Sequence, residues 1–534
     1  MRSVFCTIVL LLALPVATQA KPKLPADLVS THGYVHVAFP KGGGEALTVR
    51  PVAGGKEVMV DTPATALPLA NAQAFGTWLP AGRYRVAGWG VREWKDGPEF
   101  EVQAGRVTDL GDLVVASLGG YQFVLVPIPH REHEGSMAAA TQTFASVLKD
   151  TAPVPFEFAT VSPMIEKVQP DSGMGLIVEM LVAYERKVNK PSTLEALKAT
   201  KDPAEFLRLV RTMTAPLQDE PARLADGTLF FPADFGQLRK RSPNGEWSNI
   251  GIDSVRQLLA VEHADGRLLA GSDDGRIRQS RDDGKSWTDV KALGRQESVL
   301  DIDHANGAWI VSTVERFEDP NAARGGGLIA AARGTPSLRL RVYLAQREDL
   351  GDLAISKEFT LAPKDQVGWL GARGQLVDGR YYILAGTALQ RLDVASGQWI
   401  AITPGPRISS HRVDPGTGVI TAMWSQGAFS KVYVSSDRGG SWAQIGRPPY
   451  IINDVQMDAA DRGWASRWNM NAFSGVWETY AFVPAKNDWD KSGEAPFSCR
   501  LMRIDADIPV LCFAPDANIL GLHDGKWEVE FSAQ

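Results

Sequence analysis

Two eight-residue stretches share one pattern and decide the fold of the second half of the chain: Ser280-Arg-Asp282-Asp-Gly284-Lys-Ser286-Trp287 and Ser435-Ser-Asp437-Arg-Gly439-Gly-Ser441-Trp442. Both fit S-x-D-x-G-x-S-W, and each follows a strand-like run, at residues 276–279 and 431–434. An aspartate in such a turn accepts hydrogen bonds from backbone N–H groups, and a glycine supplies a positive φ. The tryptophan then starts the next strand and can fill a gap between neighbouring sheets. The pattern therefore predicts a repeated hairpin whose residues serve folding rather than catalysis.

Weaker copies of this turn keep its tryptophan and indicate the length of the repeat. The signature tryptophans lie at positions 247, 287, 399, 442, 489 and 527, with gaps of 40, 112, 43, 47 and 38 residues. Because a propeller blade takes roughly 40–50 residues, the long gap holds one further blade, without the tryptophan, near Ser298 to Phe359. The spacing predicts a seven-bladed β-propeller over residues 222–534, with four strands in each blade.

The repeated turn resembles the Asp-box, or BNR repeat, of sialidases and other propellers of the WD40/YVTN/BNR-like group. The resemblance covers about 300 residues. It implies structural roles for the ten motif residues Ser280, Asp282, Gly284, Ser286, Trp287, Ser435, Asp437, Gly439, Ser441 and Trp442. It also implies two kinds of function, since the group includes seven-bladed assembly factors as well as carbohydrate-active enzymes. Sialidases have six blades and an Arg-Ile-Pro motif in the first, whereas residues 228–238 here contain no such motif.

Composition and charge exclude several classes of protein. The chain has 534 residues, of which 44% are hydrophobic and 22% are charged, and this is typical of a folded globular protein. Lys and Arg total 56 and Asp and Glu total 62, so the net charge is -6. Binding to nucleic acid or to an anionic membrane requires a basic excess, and none is present.

The first twenty residues have the pattern of a secretory signal peptide. Arg2 provides the positive charge, residues 4–16 are almost wholly apolar, and Thr18 and Ala20 are the small residues before a cleavage site at Lys21. The apolar run is shorter than the 20 or so residues that a membrane-spanning helix needs. We therefore expect an exported protein, periplasmic or extracellular, from a Gram-negative bacterium, with no membrane segment after cleavage.

Cys499 and Cys512 are the two cysteines that remain after the leader, and disulfides form in exported proteins. The residues between them predict two strands with a two-residue turn at Asp505-Ala506. In that register Cys499 and Cys512 are directly opposite each other, where Cβ atoms approach to roughly 4.5–5.5 Å. The sequence thus predicts a structural disulfide, with a pair of buried free thiols as the alternative.

The chain before the propeller divides into two zones of different composition. Residues 30–128 contain short β-branched and aromatic runs separated by glycine turns, which predicts a β-sandwich. Part of it, residues 79–107, resembles the prealbumin-like or carboxypeptidase-regulatory-like modules of exported proteins. Residues 135–220 carry apolar residues at helical spacing in 137–148, 174–188 and 203–212, which predicts a small helical connector. Asp202-Pro203 marks a helix start, with the aspartate as the cap.

Aromatic residues that the blade signature does not explain are the best candidates for a binding site. Trp464, Arg467, Trp468 and Trp477 fall within one blade, together with Tyr480. Stacked tryptophans beside an arginine suit a sugar ring or a peptide, and packing between blades is the alternative interpretation. Trp369 and Trp424 hold comparable inner-strand positions.

We identify no catalytic residues, no metal ligands and no cofactor site in the sequence. The only dense histidine cluster, residues 130–134, is interpreted as a surface turn, and the arginines at 316, 324, 333, 339 and 341 as solvated strand and loop residues. A carboxylate pair for sugar hydrolysis stays open among the 62 acidic residues. We expect a non-enzymatic exported binding or scaffold protein that recognises a protein or peptide. The alternative is a carbohydrate-binding or sialidase-like glycoside hydrolase propeller.

Overall fold

A computed structural model describes most of the chain between residues 26 and 532. The described ranges are 26–41, 47–66, 72–90, 92–118, 123–128, 137, 141, 144–150, 152–166, 192–217, 220–294, 297–317, 337–361, 373–405, 407–426, 429–449, 452–471, 474–496, 499–504, 507–514 and 518–532. The predicted signal peptide, the helix at 174–188, the histidine cluster at 130–134 and Trp369 lie outside them.

Residues 222–531 form seven four-stranded antiparallel sheets in the described part of the chain, each made of four consecutive strands. We call these sheets blades 1 to 7. Their strands are β13 (Ala222–Arg223), β14 (Leu229–Pro232), β15 (Gln237–Arg241) and β16 (Trp247–Gly251); β17 (Leu258–Ala264), β18 (Arg267–Ser272), β19 (Arg276–Ser280) and β20 (Thr288–Ala292); β21 (Glu297–Ala305), β22 (Ala308–Phe317), β23 (Ser337–Ala345) and β24 (Ala354–Leu361); β25 (Gly374–Val377), β26 (Arg380–Ala385), β27 (Ala388–Asp393) and β28 (Gln398–Ala401); β29 (Ile408–Val413), β30 (Ile420–Gln426), β31 (Phe429–Ser435) and β32 (Ala443–Ile445); β33 (Ile452–Ala459), β34 (Arg462–Asn471), β35 (Ser474–Val483) and β36 (Asp488–Glu494); β37 (Arg500–Met502), β38 (Leu511–Phe513), β39 (Ile519–His523) and β40 (Lys526–Phe531). The predicted seven-bladed propeller is confirmed, including the blade without the signature tryptophan.

The ring closes through side chains, because blade 1 packs directly on blade 7. Arg241 of blade 1 donates two hydrogen bonds to Glu530 of blade 7, at 2.9 and 2.8 Å, and both side chains are buried. The ring of Phe513 meets that of Trp247 edge-on, with centroids 5.9 Å apart. A buried bidentate ion pair with apolar neighbours therefore joins the two ends of the propeller.

The first strands of neighbouring blades, such as β17 and β21, contact each other, which places the first strands around the central axis. Six of the nine residues of β21 are buried, whereas most residues of the outermost strand β24 are exposed. Each inner strand packs against the blade on either side of it, so the side chains on both of its faces are mostly apolar. Leu300 belongs to a core cluster shared with blade 4, whereas Val299 belongs to one shared with blade 2.

The signature tryptophans pack against the outer strand of the preceding blade. Four of their indole N–H groups donate across such an interface at 2.7–3.1 Å: Trp247 to Glu530, Trp399 to Ser356, Trp489 to the carbonyl of Gly446, and Trp527 to the carbonyl of Glu494. Trp287 shares an apolar cluster with Ile250 of blade 1, and Trp442 shares one with Ile400 of blade 4. The indoles thus fill the rim between blades, as the repeat predicts.

The N-terminal part, predicted as a β-sandwich, forms one twelve-stranded network of hydrogen-bonded strands. Its strands are β1 (His32–Ala38), β2 (Leu47–Pro51), β3 (Val58–Val60), β4 (Thr62–Ala66), β5 (Ala72–Pro80), β6 (Gly82–Trp89), β7 (Arg92–Glu93), β8 (Glu99–Val102), β9 (Val107–Ser117), β10 (Phe123–Pro127), β11 (Val154–Pro155) and β12 (Ser162–Glu166). Core residues from both halves of this network, such as Val35 and Val49, meet in one cluster.

The segment predicted as a helical connector contributes strands as well as helices. β12 pairs with β10, so residues 162–166 extend the N-terminal sheet. The described helices are α1 (Ala26–Val29), α2 (Ser192–Ala199) and α3 (Pro203–Thr212), with one 3₁₀ turn at Pro484–Lys486. The predicted helix at 203–212 is confirmed, and the Asp202 side chain accepts a hydrogen bond from the N–H of Glu205 at 2.7 Å. Among the described residues, no helix has the length and apolar character required to cross a bilayer.

The predicted disulfide is present, but the predicted register of its hairpin is wrong. Cys499 and Cys512 are bonded, with their Cα atoms 5.5 Å apart. β37 and β38 pair Leu501 with Cys512, two residues away from the predicted partner, because the connection is longer than a two-residue turn. The disulfide is therefore diagonal across the strand pair, and it lies beside Trp464 of blade 6 in one buried cluster.

We expect Trp489→Ala to destabilise the propeller strongly. Trp489 is buried, packs on Phe482 at 5.2 Å between centroids, and donates to blade 5. Truncation of a buried tryptophan costs about 3–5 kcal/mol of unfolding free energy. Urea denaturation measures this loss, and Val529→Ala, at an exposed apolar residue, is the matched control. Equal stability of the two variants would show that the rim indole does not hold blades together.

We also expect the Cys499→Ser, Cys512→Ser double variant to unfold more easily than the parent. The bond links residues 13 apart in sequence, and crosslinks of this size contribute about 3 kcal/mol. The same shift should appear when the parent protein is melted with a reductant. If the reductant also lowers the melting temperature of the double variant, the loss of stability in the parent does not come from the disulfide.

Candidate functional site

The two S-x-D-x-G-x-S-W turns form closed hydrogen-bond networks at the rim of the propeller. The carboxylate of Asp282 accepts from the N–H of Ser286 at 2.8 Å and from its hydroxyl at 2.6 Å. Asp437 accepts from Ser441 at the same two distances. These donors lower the pKa of both aspartates to about 2. The carboxylates of Asp282 and Asp437 are therefore engaged by hydrogen bonds within their own turns.

The glycines of the two turns adopt the conformation that the pattern requires. Gly284 and Gly439 both have φ near 88°. Their N–H groups donate to the hydroxyls of Ser280 and Ser435, at 2.8 Å in each case. The turns lie between the third and fourth strands of blades 2 and 5, far apart on the ring, so their residues do not converge on one site.

One of the aromatic candidates in blade 6, Trp464, is enclosed by its neighbours. Trp464 is only 6% exposed and packs with Cys499 and Cys512 of blade 7. An indole enclosed in this way presents no face to a ligand. Trp464 therefore has the role given by the alternative interpretation, which is packing between blades. Trp477 lies at the edge of the same cluster, and Trp468 is its direct partner in the β34–β35 register.

Arg467 is engaged by a carboxylate inside the blade. It donates to Glu478 at 2.6 Å, and Tyr480 and Lys491 donate to the same carboxylate at 2.8 and 2.9 Å. Burial opposes the ionisation of Glu478, but these donors outweigh it and lower its pKa to about 2. Arg467 therefore holds the face of blade 6 together, and no ligand is needed to satisfy it.

A polar cavity of about 310 Å³ lies on the axis, bounded by blades 4 to 7 and by the segment that leads into blade 1. It is lined by Glu220, Arg373, Gln375, Ser410, His411, Arg412, Thr421, Met423, Asp454, Val455, Arg500, Leu501 and Met502. Three arginines from three different blades thus meet around one cavity, and this is the strongest concentration of binding chemistry on the axis.

Backbone carbonyls hold these three guanidinium groups in place. Arg412 of blade 5 donates to the carbonyls of residues 503 and 504 in blade 7, at 2.7 and 3.3 Å, so its side chain reaches past blade 6. Arg500 donates to the carbonyls of residues 216 and 217, at 2.9 and 2.7 Å. Arg373 donates to the carbonyl of Leu300 at 3.3 Å and lies 3.4 Å from Glu220. The positive charges are positioned before any ligand arrives.

Acidic side chains gather around the axis at blades 2 and 3, opposite blades 5 to 7. Burial raises the pKa of Glu262 in β17 to about 8, with a further contribution from Asp301. Asp301 and Asp303 in β21 share a hydrogen bond, and burial raises the pKa of Asp303 well above its ordinary value. Proton-holding carboxyl groups thus face the axis from blades 2 and 3, and Arg373 of the cavity lies 3.8 Å from Asp301.

Two groups near the cavity are held neutral. Burial lowers the pKa of His411 to about 4, and the charge of Arg412 adds to this effect. Tyr381 is fully buried and donates to Asp301 at 3.1 Å, and burial raises its pKa well above the ordinary value. In the described part of the chain, no group of three His, Cys, Asp or Glu side chains is arranged to hold a metal ion.

The sequence interpretation missed the cavity arginines because it looked for tryptophans. A signal was available in the runs that became inner strands: Asp301 and Asp303 interrupt the apolar run of β21, and Arg412 lies in the polar run Ser409-Ser-His-Arg412 of β29. Of the arginines interpreted as solvated, Arg339 and Arg341 lie in blade 3, and both contact Glu315 and Glu358.

No protein-family model matches the chain, and no curated protein matches it. Solved structures show a distant likeness. A structure described as "YCF48 bound to D1 peptide" has a TM-score of 0.36 and 10% identity, covering 56% of this chain and 88% of that one. A nidogen/laminin complex has a TM-score of 0.31 and 11% identity, over 50% and 93% of the two chains. A luciferin-regenerating enzyme has 0.30 and 12%, over 48% and 83%.

We expect the channel carboxyl groups to make the protein less stable as pH rises from about 5 to 8. The folded state holds the proton of Glu262 up to pH 8, whereas the unfolded chain releases it near its ordinary pKa of 4.5. Stability from this proton is thus complete below pH 4.5 and is lost towards pH 8, by at most about 1.4 kcal/mol per pH unit. Glu262→Gln should flatten this dependence in urea titrations at pH 5, 6.5 and 8, and Glu246→Gln, at an exposed residue, should not. An unchanged slope in Glu262→Gln would contradict the assignment.

Proposed function

We propose that this chain is an exported binding protein that recognises a protein or peptide partner through the central channel of its propeller. In this proposal an acidic group of the partner enters the axial cavity and is bound by Arg412 and Arg500, with Arg373 behind them. The observation that carries the proposal is that three guanidinium groups, fixed by backbone carbonyls, converge on one cavity from separate blades.

Pre-positioned arginines favour carboxylate recognition for two physical reasons. A guanidinium group presents its N–H donors in a planar fork that matches a carboxylate, and such charge-assisted bonds are about twice as strong as neutral ones. A side chain that is already held loses little further freedom when the ligand binds. The cavity therefore suits the carboxylate of an aspartate, of a glutamate or of the carboxyl terminus of a partner.

The cavity wall favours a peptide over a sugar. Its lining contains three arginines, two acidic residues, one histidine, small polar side chains and aliphatic or methionine side chains, and no tryptophan, tyrosine or phenylalanine is among them. Large, flat, amphipathic ring contacts, which Trp and Tyr supply, are thus missing from this wall. Trp464, one of the predicted stacking residues, is enclosed between blades 6 and 7.

A sialidase-like hydrolase is the second candidate, because an arginine cluster near a tyrosine–carboxylate pair is what that resemblance implies. Tyr381 and Asp301 form such a pair, and Asp301 lies 3.8 Å from Arg373. However, Tyr381 has no exposed surface, and burial raises its pKa, which keeps its hydroxyl protonated. A nucleophile needs access and a lowered pKa, so the geometry supports binding over hydrolysis.

We expect the protein to bind an amidated tetraglutamate peptide more tightly than amidated tetraglutamine. Arg412→Gln and Arg500→Gln should each weaken tetraglutamate binding about tenfold or more, since a hydrogen bond to a charged group contributes about 1.5–3 kcal/mol. Fluorescence anisotropy with labelled peptides measures this, and Arg208→Gln, on the exposed face of α3, is the matched control.

Two outcomes would overturn this function. Equal binding of the two peptides would remove carboxylate recognition from the channel. Release of a fluorogenic product from sialoside or glucan substrates, abolished in Glu220→Gln but kept in Arg208→Gln, would establish hydrolysis instead.

A further inference from the structure

One interface between blades differs from the others at the rim. Six blades have a tryptophan at or beside the start of their outermost strand, whereas blade 3 has Leu353 immediately before β24. Between blades 2 and 3 an open groove of about 650 Å³ runs past this position. It is lined by Arg267, Gln279, Arg281, Asp289, Val290, Gln346, Arg347, Glu348 and Asp349.

A buried arginine forms part of the groove. Arg267, the first residue of β18, is 1% exposed, and its guanidinium carbon lies 5.3 Å from the ring centroid of Trp309. Its Nη1 donates to the carbonyl of Glu348 at 2.6 Å. Its Nε and Nη2 donate no hydrogen bond, and among the described residues it is the one arginine with two such buried nitrogens. Buried donors are almost always paired, so this pair of N–H groups favours an acceptor at the groove.

The carboxylate of Glu348 lies near these donors but is too far away to accept a hydrogen bond from them. One oxygen of Glu348 lies 3.8 Å from Nη2 of Arg267 and 3.8 Å from Nη2 of Arg281. A charge-assisted hydrogen bond is about 2.7–2.9 Å long, so this carboxylate is attracted to both arginines but bonded to neither. The side chain of Glu348 is 68% exposed and is free of packing that would fix it there.

The other acidic groups of the groove have partners of their own. Asp289 accepts from Arg278 at 2.9 Å, and Asp349 accepts from Arg347 at 2.9 Å. Both bonds are short enough to hold their carboxylates in place. Arg267 and Arg281 therefore remain as the two cations of the groove from which an incoming carboxylate could accept hydrogen bonds.

We propose that this groove is a second binding site, which takes a carboxylate of an acidic protein segment between Arg267 and Arg281, with Glu348 as an internal competitor for the same place. The incoming group displaces the exposed side chain of Glu348 and accepts from Nε and Nη2 of Arg267. The site uses blades 2 and 3 at the outer rim, and it shares no residue with the axial cavity. It is therefore independent of the proposed channel function.

The test uses amidated tetraglutamate in the full-length Arg412→Gln variant, in which the axial cavity is weakened. We expect Glu348→Ala in this background to bind the peptide at least about fivefold more tightly, because the internal competitor is removed. Glu246→Ala removes an exposed carboxylate from blade 1 and is the control for the change in net charge. Amidated tetraglutamine should show no gain in either variant.

The arginines provide the second half of the test. Arg281→Gln, at an exposed rim residue that carries little folding risk, should remove most of the gain, and Arg267→Met should remove all of it. Thermal melts of each variant separate lost binding from lost fold. The proposal is overturned if Glu348→Ala and Glu246→Ala bind tetraglutamate equally, or if the gain survives Arg281→Gln in a folded protein.

Discussion

The gap between radially arranged sheets is the constraint on which the rest of this structure depends. Sheets that stand around an axis diverge outward, so the space between neighbours grows from the inner strand to the outer one. The inner strands meet through close-packed aliphatic side chains such as Leu300 and Val299. At the rim the larger space is filled by indoles, which bury a wide apolar ring and still donate a hydrogen bond across the gap. Trp489 and Trp527 show both contributions, since each packs in its own blade and donates to a carbonyl of the preceding one.

The interface that closes the ring, between blades 1 and 7, is also filled by side chains, and it contains an ion pair in addition. No strand of the N-terminal part completes blade 7 in the described structure, since all four of its strands come from residues 500–531. The join between the first and last blades therefore relies on side chains alone. Arg241 and Glu530 form a buried bidentate pair beside Trp247, where a lone charge would be costly. The disulfide then links the first two strands of blade 7, next to the interface with blade 6.

Filling the gaps with apolar groups pushes the charged residues of the inner strands towards the axis. That is why Glu262, Asp301 and Asp303 lie on the inner strands of blades 2 and 3, and Arg373 and Arg412 lie at the inner strands of blades 4 and 5. The carboxyl groups avoid mutual repulsion by keeping protons, whereas the arginines stay charged and are held by backbone carbonyls. Tyr381, which donates to Asp301, is enclosed by the packing that holds the blades together.

The sequence by itself determined the repeat, because the S-x-D-x-G-x-S-W turn is local: eight consecutive residues contain the carboxylate, its donors, the glycine and the indole. Seven blades, the blade without a tryptophan, the cap at Asp202 and the disulfide partners could all be predicted from such short-range patterns. The register of the Cys499–Cys512 hairpin, the extra strand at 162–166 and the location of the site could not. Trp464 and Arg412 are both conspicuous side chains of strand segments, yet one is enclosed between blades and the other reaches past blade 6 to carbonyls of blade 7. Only the tertiary structure decided this, because whether a side chain packs or binds depends on which distant strand stands beside it.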